Sequence, residues 1–265
     1  AGDFDADQDI TVISREDGSG TRGAFIELTG VEEKNADGKK VDNTTEAAAI
    51  QSSTNGVMTA VANDETAIGY ISLGSLSNDV KAVTVGGVEA SAETVKDGSY
   101  VLSRPFNIAT KGEPTGVAKD FISFILSKEG QAVVTDNKYI AVNDEAESFV
   151  SDGSSGQIAV GGSSSVSPVM EKLIEAYKSV NPNASIDLQT SDSTSGMTGA
   201  MDGTFAIGMA SRELKDEEAA QLTGTAIALD GIAVIVNPAN TIDELSMDQI
   251  KSIYVGDITD WGDLA

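Results

Sequence analysis

Residues 158–180 read IAVGGSSSVSPVMEKLIEAYKSV. The apolar run Ile158-Ala159-Val160 gives way to a Gly/Ser turn at 161–165, and the turn to a segment whose Val169, Leu173, Ile174 and Tyr177 share one face at helical spacing. Pro168 suits the first helical position, with Ser167 as its N-cap. Strand, glycine-rich turn, helix is therefore the local unit, and it recurs. Residues 10–13 precede SREDGSGTR (14–22), and residues 186–188 precede SDSTSG (191–196). Further β-branched runs at 68–71, 80–85, 205–208 and 232–236 alternate with amphipathic segments at 45–51, 55–62, 116–126, 128–135, 216–222 and 246–254, which defines an α/β chain. The polar stretch NDEAESFVSDGSSG from Asn143 breaks the alternation and reads as a linker.

Composition narrows the chemistry. The 265 residues carry 17 Lys+Arg against 42 Asp+Glu, a formal charge of −25, with no His and no Cys. Familiar Ser-His and Cys-His catalytic pairs, disulfides and the usual zinc ligands are thereby excluded. So large a negative charge repels nucleic acid and anionic lipid, whose binding needs clustered Lys and Arg. No apolar run approaches the roughly 18 residues of a membrane span, and no basic n-region with an apolar h-region opens the chain, so any targeting segment is expected to be absent or removed.

Each of the three turns can cradle an anion, because a helix N-terminus offers unpaired N–H groups and partial positive charge, glycine permits close approach, and hydroxyls add donors. One of them also carries Arg15. Gly18-Ser19-Gly20-Thr21 is not a P-loop, since the Gly-Lys-Ser/Thr ending is missing. Asp3, Asp5, Asp7 and Asp9 alternate like the start of a calcium loop, yet Gln8 stands where glycine is required and Ser14 where glutamate is, so they read as a solvated acidic loop and no metal site is expected. Trp261 reads as an anchor that packs a loop.

SREDGSGTRGAF (14–25) closely resembles the Arg-x-Asp-Gly-Ser-Gly-Thr segment of the phosphate-binding proteins of bacterial ABC phosphate importers. Residues 162–173 resemble the beginning of that family's mature form, MASRELK (209–215) its second anion-contacting turn, and ALDGIAVIVN (228–237) the strand that enters its second lobe. AIGYISL (67–73), YVLSRPF (100–106) and residues 254–261 match further segments, so the likeness spans nearly the whole chain. The order differs from the family's. It is recovered by reading 158–265 and then 1–142, which is a circular permutation with 143–157 joining the original ends, and which reads as an engineered order.

The resemblance implies a two-lobed periplasmic-binding-protein-like fold of type II that closes on phosphate in an interlobe cleft. One lobe would be residues 105–236, containing the 143–157 linker, and the other 1–104 with 237–265. Ser164, Ser165, Ser193, Ser211 and Arg212 would contact the anion from the first lobe, with Ser191 and Ser195 as neighbours that could replace Ser193. Arg15, Ser19, Gly20 and Thr21 would contact it from the second, with Asp17 holding Arg15 in place and Arg104 structural. Arg212 stands where the family carries an acidic acceptor for the phosphate proton, so affinity is expected to favour doubly charged phosphate and to rise toward alkaline pH. The implied protein is an extracytoplasmic, monomeric, non-enzymatic binding component without a cofactor. It would deliver phosphate to a membrane permease and have no nucleic-acid partner. A binder of sulfate or phosphonate, and a phosphate-ester hydrolase in the same cleft, remain as alternatives.

Overall fold

The computed structural model describes residue 4 and residues 7–264. The chain divides into two compact units, one formed by Ala1–Asp17, Thr21–Ser103 and Gly231–Ala265, the other by Gly18–Gly20 with Arg104–Asp230.

In the second unit, strand Gly156–Ser163 pairs in parallel with Ala184–Ser191 on one side and with Ile207–Ala210 on the other, and Ile207–Ala210 continues antiparallel to Ser103–Thr110. Helix Ser167–Val180 buries Val169, Met170, Leu173 and Tyr177, close to the stripe read from the sequence. Tyr177 meets Phe121 and Phe124 of helix Gly116–Ile125 at ring distances of 5.0 and 5.6 Å. Ser167 is the first helical residue rather than the cap, and its hydroxyl turns back to the Ser163 carbonyl and the Thr190 hydroxyl. Gly162 is required twice over: its φ is +135°, and a Cβ there would lie 2.3 Å from the Met209 carbonyl oxygen.

In the first unit, Thr11–Arg15 lies between Ala49–Gln51 and Ala67–Ser72, parallel to both, and residues 232–236 run antiparallel to Ala67–Ser72. That pairing places 232–236 in this unit, not in the lobe expected to end at 236. Phe25, Tyr70 and Tyr254 form an aromatic cluster, Phe25 stacked on Tyr70 at 4.0 Å and edge-on to Tyr254 at 4.7 Å, and the Tyr254 hydroxyl donates to the Ile13 carbonyl at 3.1 Å. Trp261 is buried and its indole N–H donates to the Thr66 carbonyl at 2.9 Å, the anchoring role expected of it. The expected helix at 45–51 is instead a turn followed by strand Ala49–Gln51, because pairing with Thr11–Arg15 outweighs the helix propensity of three alanines. Residues 80–85 split into Lys81–Ala82 and Thr84–Val85, which pair with different partners. Asp9 bridges to Asp260, and the Ile10 N–H donates to the Thr259 carbonyl at 2.7 Å. Ala1, Asp3, Asp5 and Ala265 lie outside the described residues, and with them the first two carboxylates of the acidic loop.

The linker is not the free crossing outside both cores that its composition suggests. Asp120, 3% exposed, accepts from the Asp152 N–H at 2.9 Å and the Ser151 hydroxyl at 2.8 Å, while also accepting from Tyr177 and Asn181. Phe149 packs on Phe124 at 5.3 Å, and its N–H donates to Glu129. Burial works to raise the Asp120 carboxyl, but the bonds from Asp152, Tyr177, Ser151 and Asn181 overcome it and hold it below its ordinary 3.8. A carboxyl so lowered stabilises the fold fully above about pH 5 and loses that effect as pH falls through its lowered value. Asp120→Asn is therefore expected to cost about 1–3 kcal/mol at neutral pH, to speed hydrogen exchange at the Asp152 amide, and to differ less from wild type near pH 3. Urea unfolding at the two pH values checks this.

Candidate anion site

Strand Gly156–Ser163 is followed in the chain by its neighbour on one side, Ala184–Ser191, and then by its neighbour on the other, Ile207–Ala210. The sheet order therefore reverses at the central strand, and ligands of open α/β sheets bind beyond the carboxyl ends of the strands at such a point. Register aligns those ends: Ser163 faces Ser191 and Gly162 faces Met209, so the turns starting at Ser163, Ser191 and Ser211 leave the sheet together. The Ser163 hydroxyl donates to Ser211 Oγ at 2.9 Å, the Ser211 N–H donates to Ser193 Oγ at 3.0 Å, and the Ser164 N–H donates to the Ser191 carbonyl at 3.0 Å. Ser163, Ser164, Ser165, Ser193 and Ser211 are all buried. Helices Ser167–Val180 and Ser193–Asp202 start from these turns, the second capped by Asp192 accepting from the Ser195 N–H at 2.8 Å.

Gly18–Gly20 joins the same group by its contacts. The Thr194 N–H donates to the Gly18 carbonyl at 3.2 Å. A Cβ on Gly20 would lie 2.2 Å from Ser193 Oγ and 2.7 Å from Ser211 Oγ, and one on Gly18 would lie 2.4 Å from Asp192 Oδ1. Only glycine permits this approach. Ser19 and Thr21 are buried beside them in the chain.

The turn at 211–213 is held from its carbonyl side. Arg104 Nη1 donates to the Ser211 carbonyl at 3.1 Å, Asn107 Nδ2 to the Arg212 carbonyl at 3.0 Å, and Arg212 Nη1 to the Glu213 carbonyl at 2.9 Å. Arg212, an expected anion contact, also braces the structure around this turn. Its guanidinium forks onto Glu218 at 2.7 and 2.8 Å, and Nη2 reaches Thr194 Oγ1 at 3.3 Å. Burial works to raise the Glu218 carboxyl, yet the bonds from Arg212 and the Lys215 N–H, with both cations' charges, hold it below its ordinary value.

In the first unit, Arg15 is 2% exposed, and its Nε and Nη2 pair with the two oxygens of Glu16, each at 2.7 Å. The task expected of Asp17 thus belongs to Glu16. Asp17 is 99% exposed at its side chain and pairs with Arg22, whose Nη1 also donates to the Arg15 carbonyl at 2.7 Å. The Tyr70 hydroxyl meets Ser14 Oγ at 2.8 Å and accepts from the Arg15 N–H at 3.3 Å, which fixes the end of the strand. Burial, the largest cause, pushes Tyr70 up to about 12, so it stays protonated throughout the useful pH range. Glu16, Asn107 and Glu218 carry no motif. Glu16 is adjacent to Arg15 and could have been weighed against Asp17, whereas the Arg212–Glu218 pairing depends on a fold of the chain that spacing does not reveal.

Chemically, these turns offer hydroxyls and N–H groups to an oxyanion, and among the described residues no group of three or more acidic side chains converges to hold a metal. Donors of this kind replace the hydration of a tetrahedral oxyanion.

Such a fold, with donor-lined turns at the carboxyl ends of its strands, is that of a solute-binding protein. The chain matches the PBP superfamily domain over residues 3–129 and 148–265, and it belongs to that superfamily. It is 52% identical to the phosphate-binding protein PstS 2 of Streptococcus agalactiae over 258 residues, 97% of this chain and 88% of that protein. A solved phosphate-binding protein of a phosphate ABC transporter from Streptococcus pneumoniae superposes with a TM-score of 0.77 at 51% identity, covering 97% of this chain and all of that one. The PstS of Bacillus subtilis is 37% identical over 142 residues only, 52% of this chain and 43% of that protein. A match of 258 residues to a streptococcal protein means that the segment order is shared with a natural relative, so the expectation of an engineered order falls.

The Arg212–Glu218 pair is almost fully buried, with side-chain exposures of 10% and 3%. Glu218→Ala leaves a buried guanidinium uncompensated and is expected to lower stability by about 3–5 kcal/mol, measured by urea unfolding without ligand.

Proposed function

We propose that this chain binds inorganic phosphate as the solute-binding component of an ABC importer, outside the cytoplasm, and passes it to the importer's membrane permease. The observation that carries the reading is the 52% identity over 97% of the chain to a phosphate-binding protein, joined to buried turns rich in neutral donors. Ser19, Gly20, Thr21, Ser164, Ser165, Ser193 and Ser211 supply hydroxyls and N–H groups, and Arg15, its plane fixed by Glu16, supplies the charge. Binding rather than hydrolysis is the reading that the nearly full-length relatives support, and a chain with no His and no Cys has neither an imidazole base nor a thiol nucleophile. Among the described residues no helix is long and apolar enough to cross a membrane. The half-length match to the Bacillus subtilis protein, beside the nearly full-length streptococcal match, supports a permuted order relative to the former.

Calorimetric titration with phosphate, and with sulfate as competitor, tests the function. Arg15→Ala is expected to weaken phosphate binding by about 2–5 kcal/mol, the range for a desolvated charge-assisted contact, and affinity retained within about threefold overturns the role of Arg15. Gly20→Ala drives a Cβ into Ser193 Oγ, 2.2 Å away, and is expected to weaken phosphate binding by about tenfold or more through displaced hydroxyls.

A further inference from the structure

Arg104 and Asp230 occupy a particular place in the chain. Arg104 is the first residue of the second unit after the chain arrives from Ser103, and Asp230 is the last before it leaves at Gly231. Their side chains are 2% and 0% exposed and meet at 3.1 Å, Nη2 to Oδ2. The guanidinium also lies 5.3 Å from the Phe106 ring centre, and its Nη1 donates to the Ser211 carbonyl at 3.1 Å. One buried ion pair therefore joins both chain crossings to the turn that carries Ser211.

We propose that Arg104 and Asp230 form a positioning pair that sets the affinity of the Ser211 turn for its anion without touching the anion, an inference that rests on the phosphate reading above. The reasoning is stereochemical. In a trans peptide the C=O and N–H point to opposite sides of a rigid plane, so anchoring the Ser211 carbonyl on Arg104 aims the Arg212 N–H the other way. Asn107 does the same for the next peptide by holding the Arg212 carbonyl at 3.0 Å. Both carbonyl dipoles are thereby anchored on donors of the second unit, and the opposed N–H groups are pre-aimed before any anion arrives. Asp230 fixes the guanidinium that performs the anchoring. Stability alone gives no reason for a charged pair here, because well-packed apolar residues often replace a buried ion pair at no loss.

The test separates stability from binding. Phosphate titration by calorimetry, and thermal melting without phosphate, are run on wild type, Ser211→Ala, Arg104→Lys and the double variant Arg104→Met with Asp230→Leu. The double variant removes both charges together, so its melting point is expected within about 5 °C of wild type, while its phosphate affinity falls about tenfold or more and the Arg212 amide resonance shifts. Arg104→Lys keeps a cation beside Asp230 but loses the planar fork, and it is expected to bind about tenfold more weakly. A folded double variant that binds within about threefold of wild type overturns the proposal; if that variant does not fold, Arg104→Lys decides by the same criterion. Failure of wild type to bind phosphate, or wild-type affinity in Ser211→Ala, overturns the phosphate reading of this turn and the inference with it. Binding weakened in Ser211→Ala but unchanged in the double variant removes the pair's role alone.

Discussion

The donation from the Ser211 N–H to Ser193 Oγ, at 3.0 Å, joins two turns that leave different strands, and the Ser163 hydroxyl extends the same network to a third. A polar group taken out of water must be bonded or it costs on the order of 1–3 kcal/mol, and these hydroxyls and amides are buried together. Parallel pairing makes their meeting unavoidable: once Ser163 faces Ser191 and Gly162 faces Met209, three chain exits crowd one edge of the sheet. Small residues are needed there because glycine lets backbone approach hydroxyl, as at Gly20, and serine satisfies its neighbours without filling the space between strands.

How a chain of charge −25 holds an anion follows from the partners of its buried arginines. Arg15 pairs with Glu16, Arg104 with Asp230 and Arg212 with Glu218. Each guanidinium is paired with a carboxylate that fixes its plane, and the serine turns add oriented dipoles beside it. Repulsion from distant surface carboxylates is screened beyond about 8 Å at physiological salt, whereas hydroxyls and amides act at contact distance in a lower dielectric. The short-range contribution wins, and the carboxylates that balance the arginines also keep each cation in a fixed place.

Much of this was legible in the sequence because period and turn chemistry are local. The 158–180 unit, its buried stripe and the serine turns at 163–165 and 191–193 could be read directly, as could the anchoring of Trp261, whereas the turn at 211 was reached through the family resemblance. What could not be read depends on partners distant in the chain. Ala49–Gln51 became a strand because Thr11–Arg15 offered it an edge. Arg212 is a brace because Glu218, in the short helix Asp216–Ala219, comes back to within 2.8 Å of its guanidinium along a path no spacing rule gives. The linker looked free by composition, yet one buried carboxylate, Asp120, and one aromatic ring, Phe149, secure it to the second unit.

That fastening bears on how the strands of the second unit are placed. Ser163, Ser164, Ser165, Ser193 and Ser211 all lie within residues 156–213, one uninterrupted run of strands and helices whose pairing sets their register. Residues 143–155 form a loop whose closure entropy grows only slowly with length, by about 0.6 kcal/mol per doubling. Asp120 offsets part of that cost by accepting from Ser151 and Asp152, while Asn181 donates to both Asp120 and the Ser154 carbonyl. The segment thus enters strand Gly156–Ser163 from a fixed starting point, and the turn at Ser163 inherits its position from the register of that strand rather than from the path by which the chain arrived.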